Sequence, residues 1–181
     1  MTSLSSLNGT YVLDASHSQL SFVARHAMVT KVRGSFGTFE GSATIDGANP
    51  SASSLKVEID TASVNTRDQG RDGHLKSADF FDVETYPTIT FVGTDFVIDG
   101  DVVNVTGDLT IKDVTKPVTI PFEFQGAATD PFGNQRIGFE GAVKVSRKEW
   151  GLTWNAALEA GGVLVSDQVT LEFEVSAIKQ A

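Results

Sequence analysis

A chain of 181 residues, 40% hydrophobic and 20% charged, is long enough for one domain with a sizeable core and is not disordered in composition. Its formal net charge of -9 disfavours nucleic acid as a partner, and equally disfavours adhesion to an anionic membrane through a basic patch. The absence of cysteine excludes disulfides, thiol catalysis and thiolate metal sites.

Residues 1–10 are rich in Ser, Thr, Asn and Gly and read as a loose lead-in to a single domain over residues 11–181. The N-terminus lacks the basic and apolar regions of a secretory signal. No stretch reaches the roughly 18 apolar residues of a membrane span, so a cytoplasmic location is expected. From there, period-two alternation dominates. Leu20, Phe22 and Ala24 share a phase with His26. Phe39, Gly41, Ala43 and Ile45 form the next row, and Leu55, Val57 and Ile59 another. Phe36 is out of phase with Phe39, and Gly37 between them predicts a bulge or sharp bend.

After Pro87 come Ile89 and Phe91, then Val103, Val105, Leu109 and Ile111. Val118, Ile120, Phe122 and Phe124 follow, then Ile137, Phe139, Val143 and Val145, and finally Val169, Leu171, Phe173 and Val175. The alternate positions are mostly polar. Asp46-Gly47, Asp99-Gly100, Lys116-Pro117 and residues 130–134 punctuate at hairpin spacing. About eight antiparallel strands, each with one dry face, can form a sandwich or a closed barrel. Their length and hairpin connections favour an eight-stranded antiparallel up-and-down barrel.

Of 16 aromatic residues, 12 are Phe, so a hollow interior would suit an oily ligand. The small inward residues Ala24, Gly41, Ala43, Gly107 and Gly141 either leave volume unfilled or pack tightly at bends. The histidines at 17, 26 and 74 show no metal-ligand spacing, and no nucleophile or phosphate-loop motif is present. No catalytic residue and no metal ligand is assigned.

One segment breaks the alternation: RDGHLKSADFF, Arg71–Phe81. Leu75, Ala78 and Phe81 recur at three-residue spacing, which predicts a short amphipathic helix capped by Thr66 or Asp68. Leu75, Phe80 and Phe81 would plug one barrel end. Arg71 and Asp72 would be held by ion pairs and His74 by a backbone bond.

The chain resembles the YceI-like family of polyisoprenoid-binding, lipocalin-like proteins. The resemblance rests on residues 13–18 (LDASHS) with Phe22 and His26, and on Gly34-Ser35-Phe36 with Phe39-Glu40-Gly41. It continues through Ile59-Asp60, Asn65-Thr66, Arg71-Asp72, His74-Leu75, residues 79–82 (DFFD) and residues 86–91 (YPTITF). Residues 105–111 (VTGDLTI), 114–118 (VTKPV) and 147–152 (RKEWGL) complete it. Lys112-Asp113 departs from the family's usual turn. The resemblance implies a lipocalin-like barrel with a short helix near one end and a hydrophobic tunnel. The ligand implied is an isoprenoid chain such as an isoprenoid quinone, or a fatty-acid-like amphiphile; no cofactor is implied beyond that lipid, and homodimers are common among relatives.

On this reading the tunnel lining comprises Leu20, Phe22, Phe36, Phe39, Leu75, Phe80, Phe81, Phe91, Phe122, Phe139 and Phe173. Met28, Trp150 and Trp154 would stand at its mouth. His26 either meets a polar headgroup or is a core histidine bonded to backbone. Two rival readings are a lipid-headgroup enzyme using His26, Asp72 and His74, and a filled barrel serving only as a stress-response scaffold.

Overall fold

A computed structural model describes residues 2–159 and 161–181. In chain order it contains β1 (Asn8–Leu13), β2 (Gln19–His26), β3 (Thr30–Phe36), β4 (Phe39–Asp46), β5 (Ser54–Asp60) and β6 (Val64–Asn65). Then come α1 (Gln69–Lys76), β7 (Thr88–Asp99), β8 (Val102–Ile111), β9 (Val114–Thr129), β10 (Gln135–Ser146) and β11 (Gln168–Lys179). All pairings are antiparallel. The sheet closes in the order β1-β4-β5-β7-β8-β9-β10-β11, with β11 returning to β1. The result is an eight-stranded closed barrel with one short helix.

The first three of these barrel strands are broken in two. β11 pairs with β2 over Thr170–Glu174 and with β1 over Ala177–Lys179, so β1 and β2 are halves of one strand. β3 and β4 are halves of the next, interrupted at Gly37-Thr38, where the Phe36/Phe39 phase change predicted a bend. β5 and β6 are halves of the third, interrupted at Thr61–Ser63. The adjacent breaks are stitched together: Gly37 N donates to Ser63 O at 3.2 Å and Asp60 N to Thr38 O at 2.9 Å. Long strands in a narrow barrel must coil strongly, and a break relieves that coiling while preserving the ladder on either side.

Two sequence expectations need correction. The lead-in is not loose over its described part. Leu4 and Leu7 are 4% and 5% exposed, and they pack on Tyr11 and Ile137 at one barrel end. A serine-rich segment stays ordered here because its two leucines find the open barrel mouth; Met1 lies outside the described residues. The helix ends earlier than expected. Asp68, one of the two expected caps, opens it, its carboxylate accepting from Arg71 N at 2.8 Å, but it stops at Lys76, and Phe80 and Phe81 follow it in turns.

The opposite end of the barrel is filled by Trp150, which is 1% exposed. Its indole Nε1 donates to Leu109 O at 2.9 Å, satisfying the one polar group that its burial would otherwise strand.

Candidate functional site

The inward rows enclose an apolar cavity of about 320 Å³ that runs the length of the barrel. At the N-terminal end its wall is Leu4, Leu7, Tyr11 and Ile137; at the helix end it is Leu75, Phe80, Phe81, Trp150 and Leu152. Between them the alternating residues of the strands point inward. Most of the residues that phase alone marked as inward are on this wall.

Among the expected lining residues, Leu20, Phe22, Phe36, Leu75, Phe80, Phe81, Phe91, Phe122, Phe139, Trp150 and Phe173 face the cavity. His26, Met28, Phe39 and Trp154 do not. His26 ends β2 beyond the rim, bridged to Val165 and exposed to solvent. Met28 sits on the tip of the β2–β3 turn, where Ala27 and Met28 both have positive φ (50° and 62°), and it is 64% exposed. Phe39 follows the strand break and is buried opposite Ile59. Trp154 covers the plug from outside, its ring 4.5 Å from His74 and 5.5 Å from Phe80.

Wall residues that pattern reading missed have traceable causes. Tyr11 and Leu13 alternate correctly, but their row is too short to stand out beside the lead-in. Phe96 and Ile98 enter because a register shift between Gly93 and Asp95 reverses the phase of β7, a shift for which Gly93 was the signal. Arg147, Leu152 and Val165 reach the wall from the connection between β10 and β11, which has no period to read.

Of the small inward residues, Ala24, Gly41 and Ala43 lie on the cavity wall, and other glycines make room for rings. A Cβ at Gly34 would collide with the ring of Phe22, and one at Gly107 with the ring of Phe91. These rings lie over the glycines of neighbouring strands, so the aromatic side chains flatten against the wall. The axis stays open because these glycines, lacking side chains, leave room for the rings against the wall.

Arg147 is 5% exposed and has no ion pair among the described residues. Its guanidinium donates to four carbonyls: Leu152 at 2.6 Å, Ser166 at 2.8 Å, Trp154 at 3.0 Å and Val165 at 3.3 Å. Burial pulls its pKa below the ordinary arginine value, opposed by the charge of Asp167. It works as a rivet that ties Leu152 and Trp154 to Val165 and Ser166 at the barrel end.

The plug segment is held differently from expectation. Thr66 is 4% exposed, and Asp72 Oδ1 accepts from its amide at 2.8 Å and its hydroxyl at 2.6 Å. Arg71 donates to the same hydroxyl at 2.8 Å and to Thr66 O at 2.7 Å. Both charged residues therefore bind Thr66 instead of forming ion pairs. His74 meets the Asp79 carboxylate at 2.9 Å and not a backbone group. His26, Asp72 and His74 make no hydrogen bond to one another among the described residues, and no group of three His, Asp or Glu suited to a metal gathers among them.

The closed barrel and its apolar axis put this chain in the class of lipocalin-like β-barrels. It belongs to the YceI-like family: the YceI-like domain model matches residues 11–177. A UPF0312 protein of Pseudomonas aeruginosa is 39% identical over 167 residues, covering 92% of this chain and 84% of the relative. Burkholderia cenocepacia BcnA shares the fold with a TM-score of 0.79 at 27% identity, over 91% of this chain and 98% of that one. A polyisoprenoid binding domain from Saccharophagus degradans shares it with a TM-score of 0.73 at 19% identity, over 94% and 98%.

Proposed function

We propose that this protein binds one slender apolar amphiphile along the barrel axis, for transport, storage or sequestration. The carrying observation is the cavity of about 320 Å³, walled by aliphatic and phenyl side chains and spanning both ends of the barrel. That volume lies at the low end for ligand sites, roughly 300–1,000 Å³. It suits a single extended chain better than a bulky ring system. Membership of the family supports an isoprenoid tail, and by analogy of fold alone so does the Saccharophagus degradans domain.

Burial of the tail supplies the affinity. At roughly 25 cal/mol per Å², several hundred Å² of ligand is worth about 10 kcal/mol before the costs of association. Contact of this kind separates neighbouring chain lengths weakly, so a range of isoprenoid or fatty-acid-like tails is expected. A binding role fits the site: His26, Asp72 and His74, the acid–base set of the enzyme reading, are not among the residues that line the cavity. A filled scaffold barrel would have no such cavity.

Trp150 on the wall supplies the test. In a Trp154→Phe variant, Trp150 is the remaining tryptophan, and titration with an isoprenoid quinone is expected to quench it saturably. Solvent extraction of the purified protein followed by mass spectrometry is expected to release an amphiphile. Absence of both signals would remove the carrier reading.

A further inference from the structure

The charge of this chain is unevenly spread. Its formal net charge is -9, yet residues 15–39 contain no Asp or Glu and carry Arg25, Lys31 and Arg33. All three cations lie on the β2–β3 hairpin. Arg25 is directly paired with Lys31, and Val23, two residues before it, with Arg33. The three therefore leave the hairpin on one face, opposite to the inward phase of Phe22 and Ala24. Arg33 meets Glu172 at 3.3 Å with its side chain still 63% exposed. Arg25 donates to Val29 O at 3.3 Å, and neither it nor Lys31 has an ion pair among the described residues. Like charges directly opposite one another on a sheet are unfavourable until an anion covers them.

The tip between these strands is apolar. Met28 is 64% exposed and Val29 73%. The Met28 thioether lies over Gly162, whose neighbour Val163 is 40% exposed. Ala27 and Met28 are the central residues of a turn closed by Val29 N donating to His26 O at 3.0 Å, with φ of 50° and 62°. Asn-Gly suits such a turn, whereas Ala-Met is strained in it. Strain and apolar exposure coincide at the same residues, which is the mark of a contact surface. The hairpin is firmly held: Ala27 N donates to Leu164 O at 2.7 Å and Ser166 N to Arg25 O at 3.1 Å. It also continues the cavity wall, since His26 bridges to the wall residue Val165.

Nearby acids are few. Glu172 is on Arg33, Asp167 accepts from the Ser146 hydroxyl at 2.8 Å, and Glu159 lies in the turn before Gly162. Phe132, 89% exposed, stands at the other barrel end, two residues after Asp130, where the β7–β8 turn adds Asp99 and Asp101. That end repels an anionic surface, and the hairpin end attracts one.

We infer that the β2–β3 hairpin docks on an anionic lipid bilayer. Met28 and Val29 enter the headgroup layer, and Arg25 and Lys31 meet lipid phosphates, with Arg33 behind them. The net charge disfavours such a surface for the molecule as a whole, but screening over roughly 8 Å at physiological salt hides the acids of the far end. The helix end of the barrel is then held against the membrane, and a lipid tail passes between bilayer and cavity there. That passage rests on the carrier reading; the docking does not.

Co-sedimentation with phosphatidylcholine vesicles, with and without phosphatidylglycerol, tests it. Wild type is expected to bind only the vesicles containing phosphatidylglycerol and to be released by salt. Arg25→Gln with Lys31→Gln is expected to weaken binding about 10- to 30-fold. Ala27→Asn with Met28→Gly installs the residues the turn prefers, and is expected to weaken binding without lowering the thermal midpoint. Phe132→Ser is expected to bind as wild type does. No vesicle binding by wild type, undiminished binding by both hairpin variants, or an equal loss in Phe132→Ser would overturn the inference. So would a dimer in analytical ultracentrifugation that both hairpin variants break, with no vesicle binding, since a second copy would then be the occupant. Quinone quenching of Trp150 in the Trp154→Phe background separates the two readings. Quenching without vesicle binding overturns the docking alone, and vesicle binding without quenching overturns the carrier alone.

Discussion

Trp150 shows how a single side chain sets one boundary of the cavity. It is both the most buried large residue and part of the wall, and its indole N–H is tied to Leu109 O at 2.9 Å. Trp150→Phe removes ring volume and strands that carbonyl. It is expected to destabilise the fold by about 2–4 kcal/mol in urea unfolding, from cavity formation plus a lost hydrogen bond. The residue was readable from sequence as part of RKEWGL, but only as a candidate for the mouth. Nothing in a linear pattern distinguishes a tryptophan at the rim from one 1% exposed. Trp154, only four positions on, lies outside the wall and shows the same limit from the other side.

At the scale of elements, α1 is the weakest piece of secondary structure. It is eight residues long with no fully buried side chain, so its order depends on its junction with β6. Thr66 is the centre of that junction, bonded through amide, hydroxyl and carbonyl to Asp72 and Arg71. Thr66→Val keeps the shape and the backbone bonds but removes the hydroxyl. Hydrogen exchange of the amides in α1 is expected to quicken about 5- to 10-fold, while those of β8 to β10 keep their rates. Equal acceleration throughout would show that the junction stabilises the whole barrel and not the plug. RDGHLKSADFF, which has the composition of a reactive cluster, is in this light a fastening: its charges bind Thr66 and Asp79, and its apolar side chains reach the cavity.

At the scale of the whole molecule, closure of the barrel is secured by a charged clasp. Arg136 on β10 reaches past β11, donating to Asp14 at 2.7 Å and to Asp130 at 2.8 Å. The guanidinium beside them holds both carboxyls well below the usual range, with hydrogen bonds from Ser16 and His17 to Asp14 and from Asn134 and Phe132 to Asp130 assisting. Groups whose pKa is lowered by folding stabilise above the unfolded value, about 4, and that stability is lost as pH falls through the lowered values. Arg136→Gln is therefore expected to lower the thermal midpoint at pH 7, with the gap to wild type narrowing as pH drops below about 4. A gap independent of pH would assign the loss to packing of the arginine stem.

The sequence by itself determined the strand rows, the inward faces, the bend between Phe36 and Phe39 and the kinship with YceI-like proteins. Each of these is carried by residues a few positions apart, where alternation and turn chemistry act directly. Tertiary structure alone decided that the lead-in closes one barrel end, because burial of Leu4 and Leu7 depends on a mouth that includes Ile137 and Phe139 of a strand far along the chain. It alone separated Phe39 from the wall and brought Phe96 onto it, since a strand break or bulge changes what a phase means in space. It also decided that the axis is hollow. Composition counts phenyl rings, but only packing shows that rings such as Phe22 and Phe91 lie flat across glycines and leave the centre free.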